Sequence, residues 1–291
     1  MPFAGFICEV DGKPRPPQDC LACALKGSLP GCQFTPPILR GIVQANLPRG
    51  YTGWSVTQLT ACPRKVRLRI EHPWHEKPSQ LYYSWRGQIA HGIVEGAHGL
   101  DQVLAEMRFS AEVDGTLVSG MPDVVYVAHR HLQDYKTTKE VPGPWYVYTC
   151  PVCGKVMQEG RWKLARGKRK TCPHCKAYHT PKVVRAALTQ LPPKPYSGHV
   201  AQVSVYRWLL HQNGVEVDTA EIVYLDMASV KRLPVTLWSL RRTEEWIRSR
   251  LPALVAPDLP PRLAKDDDDV WQCKCCPVSD LCRRLDKRGA K

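Results

Sequence analysis

The sequence lacks long apolar segments. No stretch reaches the roughly 18 consecutive apolar residues that span a bilayer, so we expect no membrane span and no membrane partner. Its first ten residues, MPFAGFICEV, lack the basic region and long apolar run of a secretory signal. We therefore expect a protein of the reducing cytoplasm, where clustered cysteines bind metal ions more often than they form disulfides.

Acidic residues are scarce relative to basic ones. The 291 residues include 41 Lys and Arg against 27 Asp and Glu, a formal net charge of +14. This balance indicates a polyanionic partner, and the clustering of the positive charge favours nucleic acid over a merely basic soluble protein. The length allows one large core that carries small modules.

Cysteine, by contrast, is abundant: thirteen residues form three groups of four, with Cys275 left over. The first group lies in a Gly- and Pro-rich segment, 1–50, that has little hydrophobic periodicity and cannot form a core by itself. Its members are Cys8, Cys20, Cys23 and Cys32. We expect a tetrahedral Zn²⁺ to hold this segment together, although the loose spacing also allows free thiols.

The second group has the most specific spacing in the chain. Two Cys-x2-Cys pairs, Cys150/Cys153 and Cys172/Cys175, are separated by eighteen residues, which predicts a zinc ribbon. His174 is an alternative ligand that would break the symmetry of the pairs. A basic finger between the pairs is predicted to contact phosphates, unless it is a solvated tip. Its cations are Arg161, Lys163, Arg166, Lys168, Arg169 and Lys170.

A predicted hairpin brings charged side chains together near the middle of the chain. The apolar runs 124–128 and 131–136 predict two strands joined by a two-residue turn at His129-Arg130. In that register Asp123 lies opposite Lys136 and diagonal to Asp134, with all three on one face. Two carboxylates and an ammonium group favour a hard-cation site, with a surface salt-bridge trio as the alternative.

Three helices are predicted around this hairpin. Ser55-Val56-Thr57-Gln58 is a capping box that would start a helix running to about residue 70, with Cys62 on it. The segment 84–95 predicts a second helix that carries His91. The segment 199–214 predicts a third, with Gln202 and Tyr206 one turn apart. A strand is predicted at 104–109.

These residues, in chain order, resemble the RecB-like branch of the PD-(D/E)XK nucleases. The matching motifs are Arg86-Gly87-x3-His91, Glu106, Gly120-x2-Asp123, Asp134-Tyr135-Lys136 and Gln202-x3-Tyr206. The third cysteine group resembles the iron–sulfur site of CRISPR-associated RecB-like exonucleases and of AddAB-type nuclease domains: Cys62, Cys273, Cys276 and Cys282. The resemblance covers about residues 51–285. Without a phosphate-binding G-x-x-x-x-G-K-[ST] loop, a stand-alone nuclease fits better than a helicase fragment.

The resemblance implies an α/β (mixed α+β) fold, a restriction-endonuclease-like central mixed sheet flanked by helices. The nuclease core would comprise 51–140 and 191–291, interrupted by the ribbon at 141–190. His91, Asp123, Asp134 and the carbonyl of Tyr135 would bind Mg²⁺ or Mn²⁺, and the imidazole favours Mn²⁺.

Further roles follow from the same resemblance. Lys136 would orient the attacking water or stabilise charge on the phosphate. Gln202 and Tyr206 would face the DNA or the lysine, and Glu106 would support a ligand or bind a second metal ion. The four cysteine thiolates suit a [4Fe–4S] cluster or Zn²⁺, and the resemblance favours the cluster. Cys275 is the alternative ligand in that group.

The expected activity is that of a Mg²⁺- or Mn²⁺-dependent deoxyribonuclease, an exonuclease that processes DNA ends in CRISPR spacer acquisition with the CRISPR integrase as partner. One alternative is a phage or cellular recombination or repair nuclease that works with recombination proteins. Another is a catalytically inactive DNA-binding scaffold of the same fold. The ribbon and the N-terminal cysteine segment are not features of the compact CRISPR-associated exonucleases, so the pathway stays open.

Overall fold

The structure, a computed structural model, describes residues 3–47, 53–94, 96, 102–160, 170–263, 272–273 and 276–289. The helices are α1 (Pro17–Leu25), α2 (Pro36–Ala45), α3 (Val56–Thr60), α4 (Pro63–Glu71), α5 (Pro78–Val94), α6 (Pro181–Ala186), α7 (Ser197–Gln212), α8 (Leu240–Val255) and α9 (Ser279–Gly289). The strands are β1 (Phe3–Ile7), β2 (Pro14–Arg15), β3 (Trp54–Ser55), β4 (Trp74–Glu76), β5 (Val103–Ala105), β6 (Phe109–Val113), β7 (Thr116–Gly120), β8 (Val124–Tyr126), β9 (His131–Thr137), β10 (Trp145–Thr149), β11 (Val156–Gly160), β12 (Lys170–Thr171), β13 (Tyr178–His179), β14 (Leu188–Leu191), β15 (Thr219–Leu225) and β16 (Val230–Val235). Among the described residues, no helix combines the length and apolarity needed to cross a membrane.

The chain forms two compact units. The first comprises Met1–Asp134, Ala201–Ala220 and Thr236–Lys291, and the second comprises Tyr135–Val200 and Glu221–Val235. In the first unit, the strand orders are β2-β1-β4, β3-β7-β6 and β5-β8-β9. The pairs β1/β4 and β3/β7 are parallel, whereas β1/β2, β6/β7, β5/β8 and β8/β9 are antiparallel. Two of these sheets, β2-β1-β4 and β3-β7-β6, are therefore mixed, and with the helices they make this a mixed α/β protein, as predicted.

The second unit contains the segment predicted as a zinc ribbon. Its strand orders are β11-β10-β14, β12-β13 and β9-β15-β16. Strand β10 pairs antiparallel with both β11 and β14, and β12 pairs antiparallel with β13. The short strand pair β12/β13 follows the segment 161–169, which lies outside the described residues and contains all predicted finger cations except Lys170.

A hydrophobic cluster joins distant parts of the first unit. It is formed by the buried side chains of Phe6, Leu39, Ile42, Leu68, Trp74, Leu81 and Val278. These residues come from β1, α2, α4, β4, α5 and the segment before α9, so apolar burial, at about 25 cal/mol per Å², holds the two ends of the chain in one core. Cys20, Cys276 and Cys282 pack against this cluster.

The connection between β8 and β9 is two residues longer than predicted. Tyr126 pairs with His131, Val125 with Leu132 and Val124 with Gln133, so the connection has four residues instead of two. Two overlapping turns form this connection. Its last residue, Arg130, has a left-handed backbone conformation with φ 48°. Continued by one step, this register brings Asp123 opposite Asp134, and not opposite Lys136. The observed register differs from the predicted one by two residues. Because this is an even number, each side chain still points to the predicted face of the sheet.

The helix predicted from the capping box to about residue 70 is two helices. The box itself is confirmed, since the Ser55 side chain accepts from the Gln58 N–H and the Gln58 side chain accepts from the Ser55 N–H. Pro63 explains the break, because proline lacks an N–H and disfavours helical backbone in the residue before it. Cys62 therefore lies at the N-cap of α4 instead of inside a helix.

The strand predicted at 104–109 is also interrupted. Strand β5 ends at Ala105, and β6 begins only at Phe109. Glu106 lies between them with φ 49°, a left-handed conformation that is uncommon outside glycine. The kink changes the direction of the chain at a residue that the motif comparison singles out.

Gly120, at the end of β7, permits the close approach of α7. A Cβ atom at this position would lie 2.7 Å from Val56 Cγ2, 2.8 Å from Tyr206 Cε1 and 2.9 Å from Leu209 Cδ1. All three distances are shorter than real Cβ contacts. The glycine of the Gly120-x2-Asp123 motif is therefore required by packing against the helix that carries Tyr206.

Replacing Gly120 with alanine should overpack this contact. We expect Gly120→Ala to lower the free energy of unfolding by about 1–3 kcal/mol, the usual cost of an extra methyl group in a packed core. Gly198→Ala, in the first turn of α7 with nothing near its Cβ position, is the matched control and should be neutral or slightly stabilising. Denaturant unfolding measures both, and equal stability of the two variants would contradict the packing role.

Candidate metal centre

Three predicted site residues converge in the first unit. His91 Nδ1 lies 3.1 Å from Glu106 Oε1 and 3.1 Å from Asp123 Oδ1. One ligand atom from each of the three residues lies within 4.8 Å of the others. The Asp123 side chain is only 4% exposed and the Glu106 side chain 10%, whereas that of His91 is 36% exposed. The carboxylates thus form the floor of the group, and the imidazole lies at its solvent side.

The local backbone explains why these side chains meet. His91 is in the last turn of α5. Glu106 directly follows β5, and its N–H donates to the Asp123 carbonyl at 2.9 Å, which extends the β5/β8 pairing by one step. The left-handed conformation of Glu106 costs free energy, and such costs are concentrated at functional sites.

Asp134 is the most deeply buried acid of the predicted set. Its side chain has no exposed surface, and it lies on β9 opposite Asp123 when the β8/β9 register is continued by one step. Directly opposed carboxylates in a sheet repel each other. Burial strengthens that repulsion because the local dielectric constant is low. The pair is accordingly suited to a bound cation.

Helix α7 places a tyrosine beside these carboxylates. Tyr206 is buried, and Gln202, one turn earlier, donates from Nε2 to Tyr206 Oη at 2.8 Å. Burial raises the pKa of Tyr206 well above its usual value, and the negative charges of Asp134 and Asp123 raise it further. The hydroxyl therefore stays protonated at neutral pH and can act as a hydrogen-bond donor but not as a base.

The donor set fits a divalent cation. Carboxylate oxygens are the ligands that Mg²⁺ and Mn²⁺ prefer, and the imidazole of His91 is a better ligand for Mn²⁺ than for Mg²⁺. Tyr135 and Lys136, the other two predicted members, belong to the second unit and are half-buried residues of β9. Their contributions to this centre stay predictions.

Comparisons with known proteins leave the function open. No protein-family profile and no curated protein matches the chain. The crystal structure of SSO0001 matches with 15% identity and a TM-score of 0.49, over 84% of this chain and 93% of that one. A protein described as "putative exonuclease" from Eubacterium rectale matches with 13% identity and a TM-score of 0.32, over 71% of this chain and 59% of that one. Both TM-scores are below 0.5, so function is inferred below from the residues of this chain.

The four ribbon cysteines form a second compact group of ligand atoms. Cys150 Sγ lies 3.7 Å from Cys175 Sγ, and Cys153 Sγ lies 3.7 Å from Cys172 Sγ. Burial tends to raise the pKa of Cys172, but the N–H groups of Cys175 and His174 and the neighbouring thiols outweigh it and lower that pKa to about 6. His174 therefore contacts Cys172 through its backbone N–H, and its side chain is exposed. Four converging sulfur atoms suit tetrahedral Zn²⁺.

The sequence analysis missed one residue of the ribbon. His179 is buried, and its Nε2 lies 3.3 Å from Cys150 Sγ. A ring N–H at this distance can donate to a metal-bound thiolate and fix its orientation. His179 follows Cys175 by only four residues, and this short spacing is the sequence signal that could have identified it. Only the fold shows that its partner is a cysteine of the other pair.

The predicted iron–sulfur cysteines line one cavity in the first unit. Cys62, Cys273, Cys276 and Cys282 all contribute to its wall. Burial raises the pKa of Cys62 and also that of Cys276, and the neighbouring thiols add to both shifts. The structure therefore brings together cysteines that are far apart in the sequence. Cys275 lies outside the described residues.

Four cations surround this same cavity, and the sequence analysis did not assign them there. They are Arg64, Lys65, Arg262 and Arg283. Arg64 is buried, and its Nε donates to Cys282 Sγ at 3.2 Å while Nη2 donates to Asp286 Oδ1 at 2.7 Å. These cations suit a bound group that carries negative charge. The Arg64 contact shows that a cysteine sulfur of this cavity accepts a hydrogen bond.

The four N-terminal cysteines also line one cavity of the first unit: Cys8, Cys20, Cys23 and Cys32. Burial raises the pKa of Cys20 to about 11, with the other three thiols adding to the shift. The twelve cysteines within the described ranges all have free thiols. Each of the three predicted groups is therefore brought together by the fold.

Binding of Mn²⁺ tests the His91/Glu106/Asp123 group directly. We expect Asp123→Asn to weaken Mn²⁺ binding more than about a hundredfold, because it removes a charged ligand. Glu106→Gln should weaken binding about 10–100-fold if Glu106 supports His91 without binding the ion. Electron paramagnetic resonance of free Mn²⁺ during titration measures both changes.

Asp218→Asn is the matched control for this titration. Asp218 is an exposed acid, and its Oδ2 lies 2.8 Å from Arg130 Nε. Loss of this carboxylate should leave the affinity for Mn²⁺ unchanged. Equal affinities for wild type and Asp123→Asn would show that the buried group does not bind the ion.

Proposed function

We propose that this protein is a metal-dependent deoxyribonuclease that hydrolyses phosphodiester bonds. The observation that supports this most strongly is the convergence of His91, Glu106 and Asp123 next to the buried Asp134. A buried cluster of carboxylates with one imidazole is a typical cradle for a divalent cation in phosphodiester hydrolysis. The net charge of +14 supports a nucleic-acid substrate.

In the proposed reaction, His91, Asp123 and Asp134 hold Mg²⁺ or Mn²⁺, together with the carbonyl of Tyr135. When bound, the ion lowers the pKa of a coordinated water and polarises the scissile phosphate. Lys136 follows Asp134 by two residues in β9, so the strand period directs both side chains to the same face. We assign Lys136 to orient the attacking water or to stabilise charge on the phosphate.

The tyrosine and glutamine of α7 have a supporting role in this proposal. The protonated Tyr206 hydroxyl, held by Gln202, can donate a hydrogen bond to a carboxylate and fix its orientation. Gln202 is half-buried, so part of its side chain is accessible to a bound DNA strand. Glu106, through its contact with His91, supports a ligand or completes a second ion site.

The motif resemblance extends the proposal to DNA ends. It favours an exonuclease that processes DNA in CRISPR spacer acquisition, together with the CRISPR integrase. Recombination or repair in a phage or a cell, with recombination proteins as partners, is the second pathway that the same motifs favour. The basic finger at 161–170, which we propose to contact the DNA backbone, would contribute to the choice between single and double strands.

We further propose that the cavity around Cys62 holds a [4Fe–4S] cluster. Four thiolates suit this group, and the surrounding cations offset its negative charge. The cluster would link α4 to α9 and so connect the two ends of the first unit.

Cleavage assays test the proposed activity. We expect the wild type to degrade labelled linear DNA with Mn²⁺, while Asp134→Asn abolishes cleavage because it removes a metal ligand. Lys136→Ala should lower the rate about 10²–10³-fold, the usual loss when one donor to the transition state is removed. Lys139→Ala, an exposed cation three residues further on, is the matched control and should cleave normally.

Two outcomes would contradict the proposal. If the wild type binds DNA but does not cleave it under these conditions, the protein is a DNA-binding scaffold of this fold. If Asp134→Asn cleaves as fast as the wild type, the activity does not arise from this centre. Comparing linear with closed circular DNA in the same assay tests the requirement for an end.

Iron analysis tests the cluster separately. Anaerobically purified wild type should contain about four iron and four sulfide per chain with visible charge-transfer absorption, and Cys282→Ala should lose both. Cys175→Ala, in the ribbon, should lose zinc but keep iron. Zinc instead of iron at Cys282 would contradict the cluster and leave the nuclease proposal unaffected.

A further inference from the structure

The ribbon pairs have a characteristic backbone. The N–H of Cys150 donates to the carbonyl of Lys155, and the N–H of Gly154 donates back to the carbonyl of Cys150, both at 2.9 Å. Gly154 is left-handed, with φ 69°. The turn that begins at Cys172 has the same two bonds, with a left-handed residue, Lys176 (φ 62°), at the same offset. In the Cys172 turn, the N–H groups of His174 and Cys175 point toward the Cys172 sulfur.

The turn that begins at Cys8 has this same backbone. The N–H of Cys8 donates to the carbonyl of Lys13 at 2.8 Å, and the N–H of Gly12 donates to the carbonyl of Cys8 at 3.0 Å. Gly12 is left-handed, with φ 69°. The sequence pattern hides this likeness, because Asp11 stands where the second cysteine of a Cys-x2-Cys pair would be.

Three more cysteines reach the cavity next to this turn. Cys20 and Cys23 lie one turn apart on one face of α1, and Cys32 follows the loop after that helix. The loop is held by the Ser28 N–H, which donates to the Cys23 carbonyl at 3.0 Å. One ribbon-type turn, one helix face and one loop thus place four cysteines in the wall of a single cavity.

We propose that Cys8, Cys20, Cys23 and Cys32 bind one structural Zn²⁺ of their own, with the Cys8 turn acting as a ribbon-type metal-binding turn in which Asp11 occupies the position of the second cysteine. Cysteines 20, 23 and 32 supply the remaining three thiolates of a tetrahedral site. The ion fastens the β1–β2 connection to α1. This site is independent of the proposed nuclease centre and of the iron–sulfur cavity.

Asp11 braces the turn and is not a ligand in this proposal. Its Oδ1 accepts from the Lys13 N–H at 3.0 Å, and its Oδ2 accepts from Arg15 Nη2 at 2.6 Å. Both oxygens are therefore engaged within the turn. The ion pair also holds Arg15 at the cavity wall, where its charge offsets part of the negative charge of a zinc ion with four thiolates.

The surroundings favour a single ion over a second iron–sulfur cluster. The Cys8 cavity is lined by one cation and one acid, Arg15 and Glu9, whereas four cations line the cavity around Cys62. The backbone of the Cys8 turn is also that of the two ribbon turns, which belong to a set of four cysteines suited to one ion.

Differential alkylation of the intact wild-type chain tests this proposal without depending on the folding of a variant. In metal-loaded protein, Cys20 and Cys23 should react with iodoacetamide at least tenfold more slowly than after zinc chelation, as read by peptide mass spectrometry. The ribbon cysteines are the internal control for protection by zinc. Equal reactivity of Cys20 and Cys23 before and after chelation would overturn the proposal.

Metal counting on variants completes the test. The wild type should contain two zinc ions per chain, one in the ribbon and one here. The double variant Cys20→Ser/Cys23→Ser should contain one zinc ion with iron unchanged. Cys23→His should retain both zinc ions because imidazole can replace a thiolate, and Asp11→Asn should also retain both. Loss of iron from the double variant, or loss of the second zinc ion from Asp11→Asn, would contradict the assigned ligand set.

Discussion

The burial of several carboxylates beside one another is the constraint on which the account of this protein depends. Asp123, which directly precedes β8, lies opposite Asp134 of β9 when the strand register is continued by one step, and both have almost no exposed surface. Charged groups in a low-dielectric interior destabilise a fold unless a cation or a proton compensates them. A bound divalent ion would compensate these charges, and the nearby imidazole and the protonated Tyr206 hydroxyl could bind it or orient its ligands.

The proposed metal sites would also help to hold the ends of the chain together. One hydrophobic cluster, which includes Phe6 and Val278, lies next to two of the cysteine groups. Cys20 of the N-terminal cavity and Cys282 of the Cys62 cavity both pack against it. Short, Pro-interrupted segments bury too little apolar surface to be stable alone, and metal–thiolate bonds add the missing stability. In this interpretation, metal sites fix the frame within which the acidic centre is positioned.

Much of the candidate site could be predicted from the sequence, since motif order identified His91, Glu106 and Asp123 before their convergence was seen. The register of the β8/β9 hairpin could not be predicted from the sequence. Whether His129-Arg130 is the whole turn or half of it depends on cross-strand pairing, which composition does not reveal. The break at Cys62 could also have been predicted, because Pro63 disfavours a continuous helix through that position. Contacts between distant residues, such as Arg64 with Cys282, appear only in the fold.

The most direct test of the central claim is an anomalous-difference map from a crystal soaked in Mn²⁺. The account predicts a peak at the manganese edge that is coordinated by the carboxylates of Asp123 and Asp134 and by the His91 imidazole. Equivalent data from Asp134→Asn crystals should lack this peak while the zinc and iron peaks remain. A map with manganese only at exposed acids, and none between Asp123 and Asp134, would contradict the account.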